Sequence, residues 1–352
     1  MLKLFKSTKF FFAAEIFKTF PLSEMLNAAS FYKTNGICTV YLFMEAICSI
    51  IIAATPFAYV RQGKTYKVEN LSKSSFYWFL SLGNVNWRKL LELISLSAVQ
   101  KTSKLTKSRK RKCLIIDDST IKRNRSSSVE LLARVYDHVE QQYQLGFTYL
   151  VLAWTDGFST YPVDFALMSS KSDKNCFNQP KHLDGRKAAD KRKIESRKSK
   201  PEVVFNMIKS ALNKGFEADY VLFDSWFTTA PLIASLRGLG LHVIGMLKHM
   251  NNNCYEYKKA KYPLKILIEV LQRKGAFARK GNGVIGSVVV NMCGSKNKPA
   301  NIPVKLVFVR DHRNTSKILT LLCTDLSLSD EEIIQTYVKR WKIEEMFYTL
   351  IP

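Results

Sequence analysis

The sequence lacks the cysteine and histidine patterns that bind zinc or build a disulfide framework. Its seven cysteines are scattered, odd in number and never in a C-x-x-C spacing, and its five histidines form no paired motif. Unpaired cysteines are typical of a reducing compartment such as the cytoplasm. A metal site with sulfur or imidazole ligands is therefore not indicated.

Acidic residues are scarce relative to basic ones. The 352 residues include 54 Lys and Arg against 29 Asp and Glu, a net charge of +25. This excess predicts a polyanionic partner, either nucleic acid or an anionic membrane surface. Hydrophobic residues make up 47% of the chain, which excludes a disordered protein. The length suits two or three domains, or one large domain with an insertion.

A long hydrophobic run near the amino terminus raises the question of a membrane span. Residues Ile37–Val60 nearly reach the length of a transmembrane helix, but Glu45 lies within the run and Pro56 interrupts its end. A charged side chain in mid-bilayer costs roughly 2.5–3.5 kcal/mol. We therefore predict a buried helix and no stable membrane association. A basic membrane-associated protein is the minority alternative.

The first hundred residues are helical in character. Within Asn70–Ser95 two amphipathic runs flank the turn-forming sequence LGNVN. Ser72 is predicted to cap the first helix, and Asn84 or Asn86 the second. Two short helices around a tight turn are compatible with a DNA-binding module, as they are with any small helical bundle.

Two strongly basic segments follow. Lys101–Lys112 contains seven basic residues and no acid, which fits a solvated linker or a set of phosphate contacts. Lys181–Lys200 is polar and basic, and is predicted to be a mobile loop.

Strand-like runs and one clear helix surround these segments. The strands are short and apolar, and the helix has proline at its start and glycine at its end. This mixture predicts an α/β sheet with a hairpin-like front. The predicted strands are Cys113–Asp117, Thr148–Gly157, Tyr161–Ser170, Ala218–Asp224 and Leu241–Leu247, and the helix is Pro201–Gly215.

Two of these strands end in a carboxylate, at Asp118 and Asp224. The carboxyl ends of neighbouring central strands are close in space, so the two acids could face each other. A hard divalent cation would relieve their repulsion, and oxygen-only ligands indicate magnesium or manganese. The alternative is local: Asp224 would cap the following helix, and Asp118 would form a turn with Thr120.

A third acid lies near the end of the sequence. Ser329 and Glu332 form a predicted capping box at the start of a helix. Tyr337, Arg340 and Glu344 then advance by three and four residues, so they are predicted to line one stripe of that helix. The glutamate could reach the two aspartates, and the arginine could hold a phosphate or orient the acid.

These three segments together resemble a known family. IIDDST, VLFDSWFTT and YVKRWKIE are similar to the motifs of the DDE transposases of bacterial insertion sequences. The resemblance is to the branch named for the fourth such family, whose third motif is Y-x2-R-x3-E-x6-K. It covers roughly Asn70 to the end.

The resemblance implies an RNase H-like catalytic domain with a β-rich insertion and a helical amino-terminal region. Strand-like runs at Val284–Asn291, Val304–Asp311 and Lys317–Asp325 agree with that insertion. The expected parts are a helical region at 1–100 that could bind DNA, a catalytic core at 111–250, the insertion at 251–326 and the start of the catalytic helix at 327–352.

The resemblance also implies a chemistry and its residues. The family's first acid is followed by two hydroxyl residues, which favours Asp118 over Asp117. With Asp224 and Glu344 it would bind two Mg²⁺ or Mn²⁺ ions for DNA cleavage and strand transfer. The partners implied are double-stranded DNA at the element ends and the target, a homodimer on DNA, and the nucleoid of a bacterial cytoplasm. The predicted DNA-binding residues are Tyr337, Arg340, Lys107, Arg109, Lys110 and Arg111.

Three further expectations concern individual positions and activity. Trp226 is predicted to pack in the interior, with stacking on a displaced base as the alternative. The family's lysine six residues beyond Glu344 is Ile351 here, which suggests a truncated transposase. The alternative function is an inactive remnant that only binds DNA.

Overall fold

The structure is a computed structural model that divides into two compact units. It describes residues 19–32, 39–53, 71–105, 111–137, 140–180, 183–248, 254–275, 277, 283–295, 298–311 and 317–350. The first unit comprises residues 1–98 and 180–194, and the second comprises residues 99–179 and 195–352.

The first unit is helical, as the sequence predicts. Ser72 caps one helix by accepting a hydrogen bond from the Ser75 backbone N–H, and the Asn86 side chain caps the next at the Lys89 N–H, 3.1 Å away. The cap is therefore Asn86 and not Asn84. The helices are α1 (Leu22–Ala28), α2 (Val40–Ala53), α3 (Lys73–Leu80), α4 (Trp87–Leu105, which runs on into the second unit) and α5 (Ala188–Glu195).

Aromatic side chains pack together with aliphatic ones in the core of this unit. Phe43 of α2 stacks on Phe79 of α3 with 4.2 Å between ring centroids, and Phe31 meets Trp87 edge-on at 4.7 Å. The part of the Ile37–Val60 run that the structure describes is thus a helix with a buried face. Across the described residues, no helix has the length and apolar character needed to cross a membrane.

The predicted mobile loop at 181–200 contains a helix, so that prediction is wrong for α5. The Ala189 N–H donates to the Gly83 carbonyl at 2.9 Å, and the buried Asp190 carboxylate accepts from the Asp184 N–H at 3.1 Å. These tertiary contacts hold a helix whose sequence is too polar to show a hydrophobic stripe.

The described part of the second unit is built on one mixed sheet of eleven strands. Apolar strands in its centre are buried, as in the run at Cys113–Ile116. The strands are β1 (Cys113–Lys122), β2 (Ala133–Asp137), β3 (Gln142–Thr155), β4 (Thr160–Met168), β5 (Tyr220–Phe223), β6 (His242–Met246), β7 (Cys254–Tyr257), β8 (Ala260–Pro263), β9 (Val284–Ser295), β10 (Lys298–Arg310) and β11 (Ile318–Cys323).

The order of the strands separates two kinds of pairing. β3 pairs antiparallel with β1, β2 and β4, whereas β1, β5 and β6 are parallel neighbours. From β6 the sheet continues through β11, β10, β9, β7 and β8. The strands of the region expected to be an insertion therefore extend the same sheet.

The helices of this unit include the one predicted after Pro201. It is followed by Gly215, whose φ of 98° suits glycine. The helices described are α6 (Lys200–Asn213), α7 (Ala230–Arg237), α8 (Leu264–Arg273), α9 (Asp330–Val338) and α10 (Trp341–Leu350).

Strand alternation assigns the side chains of β1 to two faces. Ile115 lies in the core cluster that also contains Ile333 of α9 and Ile343 of α10. Successive side chains of a strand point to opposite faces, so Asp117 shares this face and Asp118 points to the other. The face that α9 and α10 cover is called here the α10 face.

The capping box at the start of α9 is confirmed, and it gives a stability prediction. The Ser329 hydroxyl accepts from the Glu332 N–H and the Glu332 carboxylate accepts from the Ser329 N–H. We expect Ser329→Ala to lower the free energy of unfolding by about 1 kcal/mol, because a helix donor loses its acceptor. Chemical denaturation measures this.

The control for this measurement is Gln335→Ala, an exposed change on the same helix. It is expected to alter stability by only a few tenths of a kcal/mol. Equal losses in the two variants would contradict the assigned role of the cap.

Candidate active site

The segments that carry the aspartates meet where the parallel pairing of β1 with β5 stops. β1 and β5 are parallel, and their last aligned pair is Ile115 with Leu222. Two residues beyond that pair lie Asp117 on one strand and Asp224 after the other. The prediction that the first strand ends at Asp118 is wrong, because β1 continues to Lys122, and it is Asp117 that lies level with Asp224.

Asp224 sits in a tight turn that its own carboxylate supports. Its Oδ1 accepts from the Trp226 N–H at 2.9 Å, and the Thr228 hydroxyl donates to its carbonyl at 2.7 Å. A Cβ on Gly245 of the neighbouring β6 would lie 2.3 Å from the Thr228 Oγ1, so glycine is needed there. The N-cap position of helix α7 is Thr229, so Asp224 is not its cap.

Arg340 links two acids of the site. One guanidinium nitrogen lies 3.4 Å from the Asp117 Oδ2, and the other donates to the Glu344 Oε1 at 2.7 Å. The arginine side chain is only 11% exposed, and its Nε–H has no hydrogen-bond partner among the described residues. Its guanidinium carbon lies 5.9 Å from the centre of the buried Tyr337 ring.

The helix that carries this motif is broken, which corrects the single-stripe prediction. α9 ends at Val338 and α10 begins at Trp341. Between them the Arg340 N–H donates to the Tyr337 carbonyl at 2.9 Å, which makes a short turn between residues three apart. Arg340 and Glu344 still meet because they remain four residues apart, but Tyr337 belongs to the preceding helix.

Asp118 has a different cationic partner from Asp117. The Lys200 ammonium, at the start of α6, lies 2.5 Å from the Asp118 Oδ2. Asp118 is in the middle of β1 and so does not form the alternative turn with Thr120. The two neighbouring aspartates therefore face separate cations on opposite faces of the sheet.

Burial and neighbouring negative charges raise the pKa values of two of the acids. Burial raises the pKa of Asp117 to about 7, with Arg340 opposing the rise and Asp224 and Asp118 adding to it. Burial also raises the pKa of Asp224, and the charge of Asp118 adds to this rise. The ionised forms of both aspartates are therefore less favourable here than in water.

Trp226 is exposed, so the prediction that it packs in the interior is wrong. Its side chain is 55% exposed, and the Lys248 ammonium lies 3.0 Å from the centre of its ring. Burial lowers the pKa of Lys248, while Asp224 and Asp118 oppose the fall. A cation and an aromatic ring thus stand beside the acids.

The predicted basic DNA-binding cluster is only partly visible. Lys107, Arg109 and Lys110 lie outside the described residues, as does Ile351. Arg111 forms an ion pair with Glu332 in the capping box of α9. The role of these four basic residues in DNA binding remains a prediction.

The donor chemistry of the site fits a hard divalent cation. The acids offer only carboxylate oxygens, which magnesium and manganese prefer, and a cation would offset the burial and the like charges that raise two of their pKa values. No three carboxylate, imidazole or thiolate groups converge on one point in the described part of the chain. Arg340 and Lys200 lie against the carboxylates instead.

Two protein-family models match the sequence. A family model described as DDE superfamily endonuclease matches residues 66–261, more than half of the chain. A model described as archaeal putative transposase ISC1217 matches residues 183–351. No curated protein matches the sequence.

Two solved structures show weak similarity. The NurA nuclease from Sulfolobus solfataricus is 11% identical, with a TM-score of 0.28, over 77% of this chain and 86% of that one. The Drosophila P element transposase strand transfer complex is 12% identical, with a TM-score of 0.26, over 74% of this chain and 55% of that one. Scores this low do not establish a shared fold.

Two lysines and one aspartate of this site are not evident from the sequence. Lys200 ends a basic segment and Lys248 follows a strand, and lysines are common in both settings. The family motif favours Asp118 over Asp117 by its position alone. Strand alternation around the buried Ile115 is the signal that places Asp117 on the α10 face.

The raised pKa of Asp117 predicts a pH dependence of stability. Its folded pKa is about 7 against an ordinary value of 3.8, so the folded chain binds this proton more tightly. The free energy of unfolding should then fall between about pH 5 and about pH 7, by about 2 kcal/mol from this group. We expect Asp117→Asn to remove that fall.

Urea denaturation with a chelator present, at both pH values, measures the effect. Glu345→Gln, at an exposed acid on α10, is the control and should keep the full dependence. If Asp117→Asn keeps the same dependence as the parent, the assignment of a buried, proton-binding carboxyl is wrong.

Proposed function

The chain belongs to the DDE superfamily endonucleases, and we propose that it is a transposase that cleaves DNA at the ends of an insertion sequence and joins them to target DNA. The observation that carries this is that Arg340 pairs with both Asp117 and Glu344 and that its charge also acts on Asp224. Acids that lie far apart in the sequence of a basic chain have no structural need to converge on a buried arginine. The finer assignment is to the family-four branch with the Y-R-E signature.

We assign the catalytic unit to the RNase H-like class. The order β4, β3, β1, β5, β6 supports this, with three antiparallel strands followed by two parallel ones. The acids lie within β1, directly after β5 and on α10, around the point where the parallel pairing of β1 with β5 stops. Strands β7 to β11 would be the elaboration that separates Asp224 from Glu344 in sequence.

Asp118, Asp224 and Glu344 are the proposed metal ligands, with Asp117 as a fourth candidate. When bound, two Mg²⁺ or Mn²⁺ ions would activate the attacking oxygen and stabilise the leaving oxygen. For the ligands to converge, Lys200 would have to release Asp118 and Arg340 would have to release Glu344. The Asp118 carboxylate, which β1 directs to the face opposite Asp117, would also have to turn towards Asp224.

The protein's own residues would bind and orient the DNA backbone. Arg340 is a planar, permanently charged donor, and its Nε–H, which has no partner among the described residues, could donate to a phosphate oxygen. Lys248 and Lys200 would neutralise charge that develops at the scissile phosphate. Tyr337 would hold Arg340 by packing beneath it. The nucleophile would be water in cleavage and a DNA 3′-hydroxyl in joining.

Double-stranded DNA is the proposed partner, at the element ends and at the target. The net charge of +25 supports a polyanion. A homodimer on DNA, in the nucleoid of the host cell, would bring two element ends together.

A remnant that binds DNA without cleaving it is the second candidate. The observation that favours it is that, in the described part of the chain, the acids are paired with Arg340 and Lys200 and do not converge as ligands. Metal-dependent nicking separates the two candidates.

The cleavage prediction concerns the three proposed ligands. We expect Asp118→Ala, Asp224→Ala or Glu344→Ala each to abolish magnesium-dependent nicking, because each removes a carboxylate from the metal site. DNA affinity should change less than about threefold, since the acids do not attract phosphate. A nicking assay and a binding assay on the same duplex measure both.

Asp117→Asn and Asp118→Asn, compared side by side, identify the first acid. Glu345→Gln should cleave like the parent protein. Full nicking by Asp224→Ala would overturn the assignment, and loss of nicking in both asparagine variants would mean that both aspartates are needed.

A second prediction concerns the basic segment Lys101–Lys112. It distinguishes side chains that bind DNA from side chains that only stabilise the fold. Changing Lys107, Arg109 and Lys110 together to alanine should weaken binding to all sequences alike. The slope of log affinity against log salt should fall by about 0.9 for each phosphate that these side chains bind. An unchanged slope would show that the segment is only solvated.

Arg111 is tested alone because it pairs with Glu332. Arg111→Ala should lower the free energy of unfolding only slightly, because the pair is partly exposed and water screens it. If the ion pair with Glu332 is the whole role of Arg111, the variant leaves the salt slope unchanged. A lower slope without a loss of stability would place Arg111 on DNA instead.

A further inference from the structure

Three strands continue beyond the end of the sheet at which Asp117, Asp224 and Glu344 lie. This end is called here the acidic edge. The end of β1 pairs with the start of β3 as far as Lys122 and Gly146, and β2 pairs with β3 as far as Asp137 and Gln142. The partner β4 pairs with β3 only from Thr148 onward. The segments 119–122, 133–137 and 142–147 therefore form a projection, called here the arm.

The arm points away from the acids in the carboxyl direction of β1. Asp118 is opposite Leu150 on β3, and the arm continues from there to Tyr143. Seven residues of antiparallel strand span about 24 Å. That length matches about seven steps of B-form DNA at about 3.4 Å each.

One face of the arm carries exposed aromatic rings. Tyr143 is 68% exposed and Tyr136, directly opposite it, is 41% exposed, with their ring centroids 5.2 Å apart. Alternation along β3 puts Tyr143 on the same face as Tyr149, which packs on the core of the α10 face. The rings thus lie on the face of the sheet that bears Asp117 and Glu344.

Two arginines flank these rings. Arg134 is exposed, and it is opposite Leu145, two residues along β3 from Tyr143. Arg123 is exposed and its backbone N–H donates to the Leu145 carbonyl at 2.7 Å, so it stands on the other side of the same strand. Alternation from Asp117 places Arg123 on the α10 face as well.

Acidic side chains of the arm are engaged on its opposite face. Asp137 is buried and its carboxylate lies 3.3 Å from the Lys122 ammonium, which also pairs with Glu140. Asp137 is an odd number of residues from Arg134, and Lys122 is adjacent to Arg123. Because successive side chains alternate between faces, Asp137 and Lys122 point to the face opposite the two arginines. The charge that Arg123 and Arg134 bring to the α10 face of the arm is therefore complementary to phosphate.

We propose that this face of the arm binds the DNA duplex that flanks the cleavage site, out to about seven base pairs from the scissile phosphate. The inference rests on the proposed function, because it takes the acidic edge as the place of cleavage. Arg123 and Arg134 contact phosphates on the two sides of a groove. Tyr136 and Tyr143 pack against the sugar–phosphate backbone, where planar rings contribute area at low entropic cost.

The test compares two nicked duplexes that differ only in the length of duplex beyond the nick, which is about four base pairs in one and about twelve in the other. One length is shorter and the other longer than the proposed reach of the arm. Arg123→Ala/Arg134→Ala removes the two cations from the arm. Lys209→Ala/Lys214→Ala removes two exposed cations from α6 and its end, and so matches the change in net charge. Circular dichroism verifies that all proteins are folded.

We expect the parent and the α6 variant to bind the longer duplex about tenfold more tightly than the shorter one. The arm variant should lose this gain, with a salt slope on the longer duplex lower by about 2. A photoreactive group at Tyr143 should crosslink to DNA about seven base pairs from the nick. This readout does not depend on a destabilising substitution.

Two results would overturn the inference in different ways. If the arm variant keeps the full length-dependent gain and the crosslink falls elsewhere, the arm does not bind the flank, and the proposed function stands. If the parent protein binds neither duplex, the proposed function fails and the inference fails with it.

Discussion

The buried guanidinium of Arg340 is the interaction on which the site depends. It lies between Asp117 of β1 and Glu344 of α10, and only 11% of its side chain is exposed. Removing it would leave two carboxylates near Asp224 without their nearest counter-charge, in surroundings where burial already raises the pKa of Asp117 to about 7. The arginine thus joins the last helix to the first strand of the sheet and balances the charge between them.

The break between α9 and α10 makes this geometry attainable. The apolar residues of α9, including Ile333 and Tyr337, belong to the core under the sheet, while Arg340 has to reach the edge where the acids stand. The short turn at Lys339 and Arg340 changes the direction of the chain. It allows α9 to pack in the core while Arg340 reaches the acids. A helical stripe with about 3.6 residues per turn would have kept Tyr337 and Glu344 on one line.

Positive charge in the second unit follows a consistent arrangement. Lys200, Lys248 and Arg340 stand near the acids, while Arg123 and Arg134 stand on an arm that leads away from them. The inner cations balance the carboxylates, and in the proposed function they would neutralise the scissile phosphate. The outer ones lie on the face of the arm opposite to the buried Asp137, which suits a longer polyanion.

Local sequence determined the elements whose stabilising contacts are themselves local. The caps at Ser72, Asn86 and Ser329 and the helix after Pro201 depend on neighbours within a few residues, and the strand at Cys113 follows from a short apolar run. The polar helix at Ala188, the break before Trp341, the exposure of Trp226 and the pairing of Asp117 with Arg340 were decided by tertiary structure. The pairing shows why, since Arg340 is 223 residues from Asp117. Local alternation around Ile115 puts the two adjacent aspartates on opposite faces, but only the tertiary structure decides which face a cation so distant in sequence will cover.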